Sequence, residues 1–495
     1  MSQTQWRPID RRAFLRRGAT AAGGSLVALP AMQALTARQA RAEEGASGSA
    51  SATSGGYGPL ARKKPTAVHT QFPGAADIEW LALPEGFEYM VFGVTGDPMS
   101  DGNVTPFAHD GSAVFDAPAG RVRFVRDHEN RDSGGPPIAP TNAYDPNGAG
   151  GCTTVELAFG PDGIPEVVKD FVSLNGTIVN CAGGVTPAGS WISSEETVET
   201  RDGVKHGYNF DVPSSADGPV VPVPLTAMGR FSHEAVCVDP ATGIVYETED
   251  AGDSGFFRFL PNDRDDLTAG GVLQMLKIRG RDNVNLTRDQ VVGRALSVEW
   301  VTIDDPDPET GGLKDVFNQG AAKGAASFRR LEGCWFGNGA VYFNSTDGGD
   351  VRQGQVWEYK PAGRSAGFLQ LVYESSDGNV LSFPDNLLVT PRGGLLLCED
   401  HGFGRTDDPF APLANESGSA AARVQYMKGL TRDGRIFDFA ANVLDNKEWT
   451  GATFTSDGAY LFANSQGATS SFDPNDPTDY GRSYAIWGPW EKGAL

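Results

Sequence analysis

The chain has 495 residues, with 63 acidic against 41 basic side chains, a formal charge of −22, 63 glycines and 32 prolines. That balance argues against nucleic acid or an anionic membrane surface as a partner. The five cysteines, an odd number scattered between Cys152 and Cys398, exclude a disulfide scaffold.

Residues 1–42 read as a signal peptide. Asp10-Arg11-Arg12-Ala13-Phe14-Leu15 has the form of a twin-arginine export signal, a weakly apolar run follows from Ala19 to Leu35, and Ala40-Arg41-Ala42 offers a cleavage site. The run is broken by Pro30 and too short to span a bilayer. The expectation is therefore passage of the folded protein through the twin-arginine export machinery into the periplasm or the extracellular medium, with no stable membrane insertion. Seven of the 41 basic residues and one of the 63 acids fall in this leader, so the remainder has 34 basic and 62 acidic residues, a formal charge of −28. Bound cations would relieve that repulsion; an acidic, solubilising surface is the bland reading of the same charge.

Residues 43–64, opening on EEGASGSASATSGGYGPL, read as a flexible terminus. From residue 65 to 495 the chain reads as a single catalytic domain. Helical periodicity is nearly absent, and short β-rich runs follow DG, TG and GG turns. Several runs end in acids. RVRFVRDHEN reaches Glu129, GSWISSEET reaches Glu195 and Glu196, GIVYETEDAGDSG reaches Glu249, Asp250 and Asp253, AVYFNSTDGGD reaches Asp347, and GLLLCED reaches Glu399 and Asp400. Glu196 and Asp250 are 54 residues apart, Asp347 and Asp400 53. The pattern predicts an all-β fold, a six-bladed β-propeller with irregular insertions, the largest over 301–327. A pair of β-sandwiches explains the turns but not the repeated acidic endings.

The candidate site residues follow from these endings. Glu129, within Asp127-His128-Glu129-Asn130, is a ligand candidate or part of a capped loop. Glu195 and Glu196 point to opposite faces of a continuing strand, yet both reach one cation at a strand end; a solvated turn is the alternative. Glu234 follows His233 at the start of an apolar strand and reads as a ligand, with His233 a ligand, an orienting group or a core residue. Glu249 and Asp250 lie in a glycine-rich turn suited to Ca²⁺. Arg330 and Glu332 share a face of an extended segment, where the carboxylate would hold a metal and the guanidinium an oxyanion; a mutual salt bridge is the alternative. Asp385, Asn386 and Asp400 supply further oxygen ligands. Cys181 stands apart from Cys237 and Cys398, which read as buried small residues, because it lies in a glycine-rich turn.

Together these strings give a family likeness. The twin-arginine leader, NCAGGVTP (180–187), EET (195–197), GRFSHEAV (229–236), TEDAGDSGFFRF (248–259), FRRLEG (328–333), PDNL (384–387) and GLLLCED (394–400) resemble the PhoX-type alkaline phosphatases. The resemblance implies a propeller phosphomonoesterase with Fe³⁺ and Ca²⁺ at its centre. It further implies a Cys181 thiolate on the iron pair, Glu234 as an iron ligand, Arg330 on phosphate with Glu332 on metal, and Asp385 and Asp400 as later-blade ligands. The chain reads FRRLEGCW where the phosphatase form is a tighter Arg-Gly-Glu-Trp, a departure at the place where substrate is held. The expected partner is a small phosphate ester, and the expected state a monomer. Two other readings compete: a calcium-dependent propeller lactonase or phosphotriesterase without iron, and a non-enzymatic, metal-stabilised exported module.

Overall fold

The computed structural model describes residues 56–132, 135–400, 408–410 and 424–495. The expected leader lies outside these residues. Within the segment read as flexible, Leu60–Lys63 is a strand paired with Leu81–Pro84.

Among the described residues, nearly all regular structure is antiparallel β. Turn chemistry sets it locally: Gly163 in Pro161-Asp162-Gly163 and Gly458 in Ser456-Asp457-Gly458 take positive φ and fold adjacent strands back. Four sheets stand as blades. One runs His109–Ala117, Arg121–His128, Gly150–Phe159 and Pro165–Thr177. A second holds Asn180–Val185, Ser190–Glu195 and Asn209–Pro213. The other two begin at Pro384–Val389 and Trp449–Phe454, and both are completed by N-terminal strands. Leu81–Pro84 pairs with Ile436–Asn442, and Glu88–Phe92 pairs with Arg482–Trp487, so the two ends of the described chain are stitched into shared sheets.

The remaining strands overturn the expectation of a six-bladed propeller. Residues 233–374 form one nine-stranded sheet, running from His233–Val238 through Ala295–Thr302 to Leu331–Gly337. Its two end strands pack against each other, so the sheet is a nearly closed barrel beside a four-bladed propeller. The cause is Ala295–Thr302. It hydrogen-bonds to Gly271–Ile278 on one side and to Gly367–Glu374 on the other, joining outer edges that separate blades would leave free. In sequence this strand runs into the stretch read as an insertion, which also forms the helix Asp315–Ala322.

Six strands nevertheless ring one axis, touching in turn: His109–Ala117, Asn180–Val185, His233–Val238, Leu331–Gly337, Pro384–Val389 and Trp449–Phe454. Small residues let them converge. A Cβ on Gly111 would lie 2.5 Å from Ala182 Cα, and one on Gly333 would lie 2.6 Å from the Leu387 nitrogen. Apolar clusters between the sheets and inside the barrel hold this ring; inside the barrel, Phe343 is fully buried and stacks on Phe256 at 4.1 Å. Phe343→Ala is expected to cost about 3–5 kcal/mol, read as a lowered urea midpoint with an unchanged slope. All five cysteines are free and buried, so a bulky thiol reagent should label none in the native protein and all after denaturation.

Candidate metal centre at the axis

The axial strands share a local irregularity. In each, two residues drop out of the β-ladder near the first residue of the strand. The skipped pairs are Asp110-Gly111, Cys181-Ala182, Glu234-Ala235, Glu332-Gly333, Asp385-Asn386 and Gly451-Ala452. A bulge re-aims a side chain that regular alternation would send elsewhere. Here the first residue of five pairs is an acid or a thiol, and all five enter groups whose donor atoms lie within 4.8 Å of one another.

Those groups form a chain across the axis. Asp110, Glu129 and Cys181 make one; Cys181, Glu196 and Glu234 the next; then Glu234, Glu332 and Asp385; then Asp385, Asp400 and Glu448. Consecutive groups share a residue, so the arrangement suits several cations rather than one.

A second rule governs the paired acids at strand ends. The first acid of each pair anchors backbone. Glu195 accepts from the nitrogens of Ile178 (3.0 Å), Gly207 (2.9 Å) and Tyr208 (3.3 Å) and lies 2.7 Å from His206 Nδ1. Glu249 accepts from Gly255 N at 2.7 Å, and Glu399 from Ser382 N at 2.9 Å and Tyr426 N at 3.2 Å. The second acid turns to the axis: Glu196 and Asp400 join the groups, and Asp250 meets Arg330. Thus Glu195 and Glu249, both candidates from sequence, stand apart from the grouped donors. Asn386 orients its neighbour, donating to Asp385 Oδ1 at 2.8 Å while its own Oδ1 accepts from Gly451 N at 2.6 Å. His233 is a core residue, packed on Phe231 and 3.0 Å from the Gly229 oxygen.

Among the described residues, two arginines meet the acids. Arg330 donates from Nε to Asp250 Oδ1 at 3.1 Å and from Nη2 to Glu332 Oε1 at 2.7 Å, so the mutual salt bridge weighed from sequence is present. Its backbone has φ of 42°, the left-handed region, which turns the side chain across to Asp250. Arg131 lays Nη2 between Glu129 and Glu196. Sequence reasoning missed Arg131, Asp110 and Glu448. An acid followed by a small residue at the head of an axial strand is the signal that finds Asp110, as it does Glu332.

The charges are poorly compensated. Burial, then the fields of neighbouring acids, pushes Asp110, Glu234 and Glu332 well above the usual carboxylate range. Burial lifts Glu129 to about 8, despite Arg131, and Asp385 to about 7. Burial, then Asp110 and Glu234, raises the Cys181 thiol. Both Glu234 oxygens and Asp110 Oδ1 are buried without a hydrogen-bond partner. Unsatisfied carboxylates beside a thiol are what a cation cluster requires of its donors, so the residues fit a metal centre.

A family model described as "Alkaline phosphatase PhoX" matches residues 56–469. A solved structure of Pseudomonas fluorescens PhoX in complex with vanadate, a transition state analogue, is 16% identical, covering 88% of this chain and 99% of that one, with a TM-score of 0.61. A gluconolactonase from Xanthomonas campestris is 12% identical over 88% of this chain and 98% of that one, with a TM-score of 0.33. Comparison with curated proteins finds no match.

The raised carboxyls set a pH dependence. Folded metal-free protein binds more protons than the unfolded chain between the ordinary carboxyl range and about 8, the value for Glu129. Its stability should therefore fall as pH rises from 5 to 8, seen as a dropping urea midpoint after chelation. The metal-loaded protein should show no such fall.

Proposed function

Because the chain belongs to the PhoX alkaline phosphatase family, whose model spans residues 56–469, we propose that it hydrolyses small phosphate monoesters at an axial centre of Fe³⁺ and Ca²⁺. The broader statement, that it is a metal-dependent, phosphatase-like hydrolase, follows from membership together with the axial donor groups. The observation that supports the finer reading most is the mixed donor set. Oxygen donors alone suit calcium, whereas Cys181 adds a soft ligand that calcium does not need.

In this reading Asp110, Glu129, Cys181, Glu196, Glu234, Glu332, Asp385, Asp400 and Glu448 hold the cations. Bound there, iron and calcium would supply positive charge for phosphoryl oxygens and lower the pKa of water. The chain's own part is positioning. Asp250 and Glu332 fix the guanidinium of Arg330, whose Nη1 has no partner among the described residues. That edge would bind phosphate oxygens and stabilise the charge spread over them at the transition state. Asn386 holds Asp385, and Gln466 Nε2 holds Asp110 at 2.9 Å and Glu129 at 2.8 Å, so donors stay aimed while substrate exchanges.

Family membership suits an exported protein. Export by the twin-arginine route is inferred from Arg11-Arg12, and suits a chain that folds around metals before crossing the membrane. No described helix is long and apolar enough to span a bilayer.

Assay of metal-loaded protein on an aryl phosphate at alkaline pH tests the activity; release of no phosphate would sink it. Arg330→Ala should lower kcat/KM by roughly 10²–10³ with metal content retained. Cys181→Ser should remove a visible iron–thiolate absorption band, and an unchanged spectrum would count against iron at this position.

A further inference from the structure

We propose that Arg131 is a second phosphate-gripping residue, placed with Arg330 at the solvent end of the axial site. The inference rests on the phosphatase reading above and adds a residue that the sequence motifs do not mark.

Arg131 follows the strand Arg121–His128, and its backbone nitrogen donates to the Thr469 oxygen at 2.8 Å, which ties it to a neighbouring blade. Its side chain is 46% exposed, whereas Glu129 and Glu196 beneath it are 2% and 8% exposed. Arg330 repeats the arrangement at 32%, above Asp250 and Glu332 at 12% and 3%. Both guanidinium groups therefore sit at the solvent end of the acids. They flank the same donors: Glu448 adds to the field at Arg131 and Asp400 to that at Arg330, and these two acids belong to one group with Asp385.

Each guanidinium also has donors to spare. Only Nη2 of Arg131 engages acids, leaving Nε and Nη1 without a partner among the described residues. Neutralising Glu129 and Glu196 is a sufficient purpose for Arg131 only while those acids have no other cation. Once cations occupy the donor groups, an exposed guanidinium with open N–H groups beside them is an anion site. Arginine's planar fork offers paired donors to a phosphate, so two such forks would together hold the terminal dianion of a monoester. They would also offset the repulsion that the remaining acids exert on it.

The test compares metal-loaded wild type, Arg131→Ala and Arg131→Lys. Three quantities are measured for each: iron and calcium content, calorimetric affinity for inorganic phosphate, and KM and kcat on an aryl phosphate. The expected result is phosphate affinity weakened roughly ten- to a hundredfold in Arg131→Ala, a matching rise in KM, intact metal content, and partial recovery in Arg131→Lys. Unchanged phosphate affinity in Arg131→Ala overturns the proposal. So does metal loss in Arg131→Ala whose correction by reloading restores wild-type affinity, since Arg131 then serves only the acids. If wild type binds phosphate through Arg131 but releases none from the ester, the phosphatase reading fails while the anion site stands.

Discussion

Electrostatic repulsion at the axis is the constraint on which the rest of the structure depends. Eight carboxylates and one thiol gather there in linked groups, and among the described residues Arg131 and Arg330 are placed to offset part of that charge. Isolated buried carboxylates would neutralise by taking protons, as the raised values of Glu129 and Asp385 show. Cations resolve the same conflict without protons. The fold thus concentrates charge at a cost that bound metal would remove, and catalysis would use that metal.

The architecture serves this concentration. Six strands drawn from five sheets converge on the axis through glycine and alanine contacts, and each breaks its ladder at the point of convergence. The breaks free Asp110, Cys181, Glu234, Glu332 and Asp385 from alternation and turn them inward. Behind them, Glu195, Glu249 and Glu399 each accept from backbone amides. Adjacent acids therefore divide the labour, one fixing the strand end and the next facing the axis. Beside the propeller, the nearly closed barrel of residues 233–374 contributes Glu234, Asp250, Arg330 and Glu332, the part of the site that combines an arginine with carboxylate donors.

The sequence revealed the all-β class, through turn chemistry and short strands, and it revealed that acids recur where strands end. It did not reveal sheet connectivity. The strand Ala295–Thr302 joins two outer edges by backbone hydrogen bonds, and backbone pairing leaves little trace in side-chain pattern. Nor could spacing alone separate Glu195 from Glu196, because the division depends on which amides the fold brings to the strand end. Asp110 and Glu448 escaped notice because the pattern read from sequence was of acids where strands end, whereas both stand at strand heads; Glu234 and Glu332, also at strand heads, were marked by the neighbouring His233 and Arg330. Arg131 escaped because its meaning comes from Glu196, 65 residues away in sequence.

The proposed centre requires several cations at the folded axis. Elemental analysis of protein produced through its own export route and held at pH 8, combined with native mass, tests it most directly. The expected result is more than one tightly held cation per chain, iron among them, with stability lost when they are stripped. A chain that is fully folded and equally stable at pH 8 with no bound cation would contradict it.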